Sequence, residues 1–150
     1  ISDVSGTFND FDVTVESAKP DFSDAVFTLS AKTASINTRI EMRDNHLKSA
    51  DFFDAEKYPT LTFKSTAPKA AGKNKYKLSG DLTLHGVTKP VTLDLEYRGT
   101  VENPMSKKAT AGFQLTGSIK RSDFGIGSKF PEPMVSDIVR IKADGEFSQQ

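Results

Sequence analysis

Apolar and polar residues alternate with a period of two along most of the chain. Phe11, Val13 and Val15 interleave with Asp12, Thr14 and Glu16, the pattern of a strand with one buried face. Phe27 and Leu29 repeat it, as do Leu61 and Phe63. Tyr76, Leu78, Gly80, Leu82 and Leu84 share one face of the next run, and Val91, Leu93, Leu95 and Tyr97 one face of the run after it. The residues between them, 86–89, read as the tight turn of an antiparallel hairpin. Ala109, Ala111, Phe113, Leu115, Gly117 and Ile119 resume the alternation after Asn103-Pro104, and Val139, Ile141, Ala143, Gly145 and Phe147 close it. Lys19-Pro20-Asp21, the stretch 68–74 and the Gly- and Pro-rich stretch from Ser122 to Pro133 are the breaks. About seven strands at this spacing predict an all-β sandwich or barrel.

One stretch, residues 37–63, does not alternate. Its charges come close together (Arg39, Glu41, Arg43, Asp44), its aromatics cluster (Phe52, Phe53, Tyr58), and it stops at Pro59 before a strand resumes. A short helical insert over about residues 37–57 is expected here, with Phe52, Phe53 and Tyr58 sealing one mouth of the sheet and Arg43 and Asp44 anchoring the cap. The regular strands are polar along their whole outer face, which favours one closed antiparallel sheet around a single interior.

Inside such a barrel the volumes are uneven. Gly80, Ala109, Ala111, Gly117, Ala143 and Gly145 fall in the inward phase among large side chains. Small inward residues either leave room for a ligand or mark bends where the sheet coils. The strands turn no charge inward, so any space would suit a hydrocarbon chain better than a sugar or nucleotide.

Charge and composition narrow the function. The 150 residues carry 20 acids and 20 bases, without the clustered basic excess of a nucleic-acid surface. The lysines of 69–77 belong to a solvated hairpin. With no cysteine, there is no disulfide framework from which to read a redox compartment. No apolar run reaches bilayer length, and Ile1 is not an initiator methionine, as expected of a processed or trimmed chain. His46 and His85 have no metal-ligand spacing; His46 is expected on a helix surface or cap, and His85 in a turn-ordering role. Gly125-Ile126-Gly127 fits a loop needing positive φ better than a phosphate cradle. Arg121 and Asp123 beside it could join an ion-pair network with Arg43 or Asp44. No catalytic constellation emerges, and a non-enzymatic protein without a cofactor is expected.

Three ordered blocks then resemble the YceI-like proteins. They are Arg43-Asp44-x-His46-Leu47 with Asp51-Phe52-Phe53-Asp54 and Tyr58-Pro59-x-Leu61-x-Phe63; Gly80-Asp81-Leu82-Thr83-Leu84-His85-Gly86-Val87-Thr88-Lys89-Pro90-Val91; and Arg121-Ser122-Asp123-Phe124-Gly125-Ile126. The resemblance implies a lipocalin-like antiparallel barrel, a tunnel holding a polyisoprenoid or other long amphiphile such as an isoprenoid quinone or a fatty-acid-like lipid, and export to the periplasm. On that reading Phe27, Leu29, Phe63, Leu82, Leu93, Phe113, Leu115 and Ile141 line the tunnel, and Arg43, Arg121 and Asp123 organise its entrance. The partners are then a long-chain lipid and, transiently, a membrane; a homodimer is compatible with it.

The chain starts just before Gly6-Thr7-Phe8, whereas members of the family usually begin with a further strand. One N-terminally truncated domain over residues 1–150, with an open seam, is therefore expected. Unpaired strand edges support a competing reading, an interaction module that takes a strand from a partner.

Overall fold

The computed structural model describes residues 5–19, 21–131 and 134–148; Ile1, Pro20 and Pro133, named above, lie outside them. In chain order the elements are β1 (Thr7–Phe8), β2 (Phe11–Glu16), β3 (Val26–Lys32), β4 (Ile36–Asn37), α1 (Glu41–Lys48), β5 (Thr60–Ser65), β6 (Lys69–Gly72), β7 (Lys75–Leu84), β8 (Val87–Glu102), β9 (Ala109–Lys120) and β10 (Ile138–Ser148). Seven strands form a continuous antiparallel path, β10-β9-β8-β7-β5-β3-β2, and β1 pairs separately with β4. The sheet curls into a nearly closed, lipocalin-like barrel. Its seam lies between β2 and β10, and among the described residues no ladder joins them.

Two boundaries differ from the sequence expectation. The stretch 68–74 is not simply a loop, because β6 folds back on β7 and pairs Lys69 with Lys77 and Ala70 with Tyr76. The start of β7 extends past the end of β5, whose pairing with it stops at Ser65–Gly80, and β6 satisfies the backbone groups this leaves open. The β7–β8 turn is also tighter than expected. His85 and Gly86 alone form it, at φ 55° and 73°, the double positive φ of a type I′ hairpin turn whose twist matches the strands.

The alternation turns Phe27, Ala31, Phe63, Leu78, Leu82, Leu93, Leu95, Phe113 and Leu115 into one buried core. At the end bearing residues 17–19, 21–25, 66–74 and 103–108, the lower end, Phe113 sits among four rings. Its ring centroid is 5.3 Å from Phe22, 5.3 Å from Phe27, 5.5 Å from Tyr97 and 5.8 Å from Phe147. The three inward glycines mark close approaches. A Cβ on Gly80 would lie 2.4 Å from the Lys64 carbonyl oxygen, one on Gly117 2.4 Å from Leu93, and one on Gly145 2.9 Å from the Phe147 ring.

The upper end carries 33–59, the His85–Gly86 turn, 121–131 and 134–137. The insert is less helical than expected: α1 has eight residues, none of them buried. The β8–β9 ladder also stops short of this end, with its last pair at Asp94–Thr116. Above it β8 stays with β7 and β9 with β10.

Candidate functional site

All three sequence blocks meet at the upper end. The first is organised by Thr38, which is buried to 6% exposure. The Asp44 carboxylate accepts from its backbone N–H at 2.8 Å and from its hydroxyl. Arg43 donates to the Thr38 hydroxyl oxygen at 2.8 Å and to its carbonyl at 2.8 Å. The Thr38 hydroxyl donated to Asp44, ahead of any charge nearby, holds that carboxyl below the usual carboxylate range. These bonds tie the start of α1 where no side chain caps its first turn. Gly6 is needed alongside: a Cβ there would lie 2.8 Å from the Thr38 methyl and 2.9 Å from the Asn37 carbonyl oxygen.

The seal comes from the turns that follow α1. Phe52 is buried and stacks on Phe130 at 5.1 Å and 15°. Asp51 meets Lys129 at 3.1 Å and the His46 Nε2 at 3.2 Å; the hydrogen bond from Lys129, then that from His46, lowers its pKa. Phe53 packs on the core and edge-on to Phe8 at 5.7 Å. Tyr58 lies against the His85 ring at 4.9 Å. His85 in turn donates Nδ1–H to the Phe124 carbonyl at 2.9 Å, because a carbonyl can only accept. That bond joins the second block to the third.

Arg121 organises the third block. It is 7% exposed, and its guanidinium donates to the carbonyls of Ser136 (3.0 Å), Ile126 (3.0 Å), Gly127 (2.8 Å), Phe130 and Val135 (2.8 Å). The planar fork of five N–H groups is matched by five backbone acceptors. Gly127 lies so close that a Cβ would fall 2.9 Å from both the Arg121 Nη1 and the Phe52 ring. Asp137 accepts from the Ser122 hydroxyl at 2.7 Å and backbone N–H at 2.9 Å; these bonds lower its pKa, and the Arg121 charge assists.

The eight residues expected to line a tunnel all lie in or against one buried apolar cluster. Phe27, Phe63, Leu82, Leu93, Phe113 and Leu115 belong to the buried cluster, and Leu29 and Ile141 pack against it. Arg43, Arg121 and Asp123 form no ion pair with one another among the described residues: Arg43 serves Thr38, Arg121 serves its own loop, and Asp123 is exposed. The cross-link between blocks is therefore made by Phe52–Phe130, Asp51–Lys129 and His85–Phe124 rather than by Arg43, Asp44, Arg121 and Asp123. Phe130 and Lys129 escaped the sequence reading because nothing local sets them apart from ordinary loop residues. Among the described residues no cluster of three or more His, Cys, Asp or Glu could hold a metal, and no helix is long and apolar enough to cross a membrane.

The YceI-like domain family matches residues 1–147. The chain belongs to this family. Among its relatives, UPF0312 protein SA2479 of Staphylococcus aureus strain N315 is 39% identical over 152 residues, which span 99% of this chain and 86% of that protein. The crystal structure of a Campylobacter jejuni YceI protein superposes with a TM-score of 0.93 at 34% identity, covering 100% of this chain and 87% of that one. Burkholderia cenocepacia BcnA matches with a TM-score of 0.83 at 30% identity, over 93% of this chain and 84% of its own. A polyisoprenoid binding domain from Saccharophagus degradans, implicated in plant cell wall breakdown, shares the fold at 16% identity and a TM-score of 0.61, over 93% of this chain and 91% of its own. The barrel fold is thus shared with these solved structures.

Proposed function

We propose that this YceI-like barrel binds and carries a long-chain amphiphile, a polyisoprenoid, an isoprenoid quinone or a fatty-acid-like lipid, without catalysing a reaction. The observation that carries the reading is the convergence of Phe27, Leu29, Phe63, Leu82, Leu93, Phe113, Leu115 and Ile141, from β3, β5, β7, β8, β9 and β10, on one interior. Burying a methylene contributes about 0.8 kcal/mol, so ten of them offer roughly 8 kcal/mol relative to water. Relative to a bilayer the same chain gains almost nothing, because its surroundings are apolar in both places. Such a protein carries lipid between membranes and discriminates by interior shape and by polar groups at its openings. Arg43 and Arg121 serve that discrimination by fixing the loops at the upper end, and Asp123 by its charge outside them. The family resemblance supports a periplasmic or secreted location and passing contact with membranes.

Mass spectrometry of an organic extract of the purified protein tests this. One long-chain species at near-equimolar amount is expected, lost from a folded Leu93→Arg or Phe113→Arg variant. A protein that neither carries such a species nor takes one up from vesicles would overturn the reading. The open seam favours a second reading, capture of a partner's strand by β-augmentation; it requires a complex that forms equally well from lipid-stripped protein.

A further inference from the structure

The barrel has a second opening besides its seam, in the wall between β8 and β9. Below it lies the last ladder pair, Asp94–Thr116. Leu93 and Gly117 still touch across the wall; beyond them β8 and β9 part, each held by its other neighbour, Val91–Gly80 on one side and Ile119–Val139 on the other. Above it the His85–Phe124 hydrogen bond, 2.9 Å long, ties the two sides together again. The parting is written in the sequence of β8. Pro90 has no N–H to give a neighbouring strand, and Lys89 beside it is a residue that guards strand edges against pairing.

An open concavity of about 530 Å³ occupies this window. Its lining reaches from solvent to the core: Phe124 belongs to the buried cluster, and Val91 and Ile119 pack against it. Its charged lining residues are Lys89, Lys120 and Asp123, two cations against one anion. Immediately inside, Leu93 fills the space over Gly117. The passage is therefore apolar toward the barrel and net cationic at the lip.

We propose that this window is the lateral port through which the amphiphile enters, and that it selects a single-chain amphiphile with an anionic head group. The tail passes between Val91 and Ile119 and displaces the Leu93 side chain; the head stays at the lip with Lys89 and Lys120. A charged head never crosses the apolar interior, which would carry a large desolvation cost. His85 holds the upper border of the port. The inference rests on the lipid-carrier reading and adds the route and the head-group class.

The chain has no cysteine, so Thr92→Cys with Ser118→Cys places the only two thiols on opposite sides of the window. A short bis-maleimide joins them after folding. Uptake is read with pyrene-labelled hexadecanoate, and with the matching alcohol, from phosphatidylcholine vesicles. Cross-linking is expected to slow uptake of both probes at least tenfold relative to the same variant unlinked. Probe loaded before cross-linking should be retained. Lys89→Gln with Lys120→Gln is expected to slow uptake of the acid several-fold and leave the alcohol unchanged. Equal uptake with and without the cross-link overturns the port while the carrier reading stands. Equal loss of acid and alcohol in the glutamine variant overturns the head-group assignment. Failure of the unmodified protein to take up either probe overturns the port and its head-group class; the carrier reading is then decided by the long-chain species in the organic extract.

Discussion

Arg121 shows how much one residue can hold. Its five donors fix the carbonyls of Ile126, Gly127, Phe130, Val135 and Ser136, which lie in a stretch with no regular secondary structure to satisfy them. A lysine has three donors around one point and cannot reproduce the fork. Arg121→Lys should therefore leave several buried carbonyls without partners and cost about 3 kcal/mol, read as a lowered urea midpoint with an unchanged slope. The sequence marked Arg121 as part of a conspicuous block but offered an ion-pair network with Arg43 or Asp44 in place of these backbone partners. Those partners are backbone atoms that any sequence supplies, so residue identity carries no signal for them. Phe113 was legible by contrast, since its inward phase follows from period two alone. Phe113→Ala should cost about 3–5 kcal/mol by leaving Phe22, Phe27, Tyr97 and Phe147 around a void, measurable by the same denaturation.

At the scale of elements, strands and cap differ in how they are encoded. β7, β9 and the middle of β8, from Val91 to Tyr97, turn a face inward at every second position, so their existence and inward residues follow from local pattern. The cap is held by contacts between distant segments, Phe52 with Phe130 and Asp51 with Lys129, and no local pattern carries them. That is why the expected helix shrinks to Glu41–Lys48 while the sealing passes to the turns after it. The docking of this cap should depend on acid. Asp51 has a folded pKa below its ordinary value of 3.8, so its contribution is complete above that value and is lost as pH falls through the lower, folded one. NMR shifts of the Phe52 and Phe130 rings should accordingly move as the pH is lowered below about 4. Asp51→Asn should lose that shift and dock more weakly at neutral pH.

Over the whole molecule, pairing is uneven. Among the described residues β7, β8 and β9 have ladders on both sides, whereas β2 and β10 each have one. Amide exchange should follow that order, with the outer-edge amides of β2 and β10 exchanging fastest among the regular strands and β7 slowest. Equal protection in β2 and β7 would show that the seam is covered in solution. The all-β class and the interior were legible because both are repeated in strand after strand. The wall opening was not, although Lys89-Pro90 stood in plain view, because a proline in a strand acquires meaning only once its neighbours are known.

The seam has a consequence of parity. Successive neighbours along β10-β9-β8-β7-β5-β3-β2 all run opposite ways, and the path is odd in number. Its two edges therefore point in the same direction and cannot close on each other as antiparallel partners, however close they come. Any strand that completes the cylinder with antiparallel ladders must run against both at once. An even count restores antiparallel pairing all the way round, and only a segment of that polarity, from whatever chain, can supply it.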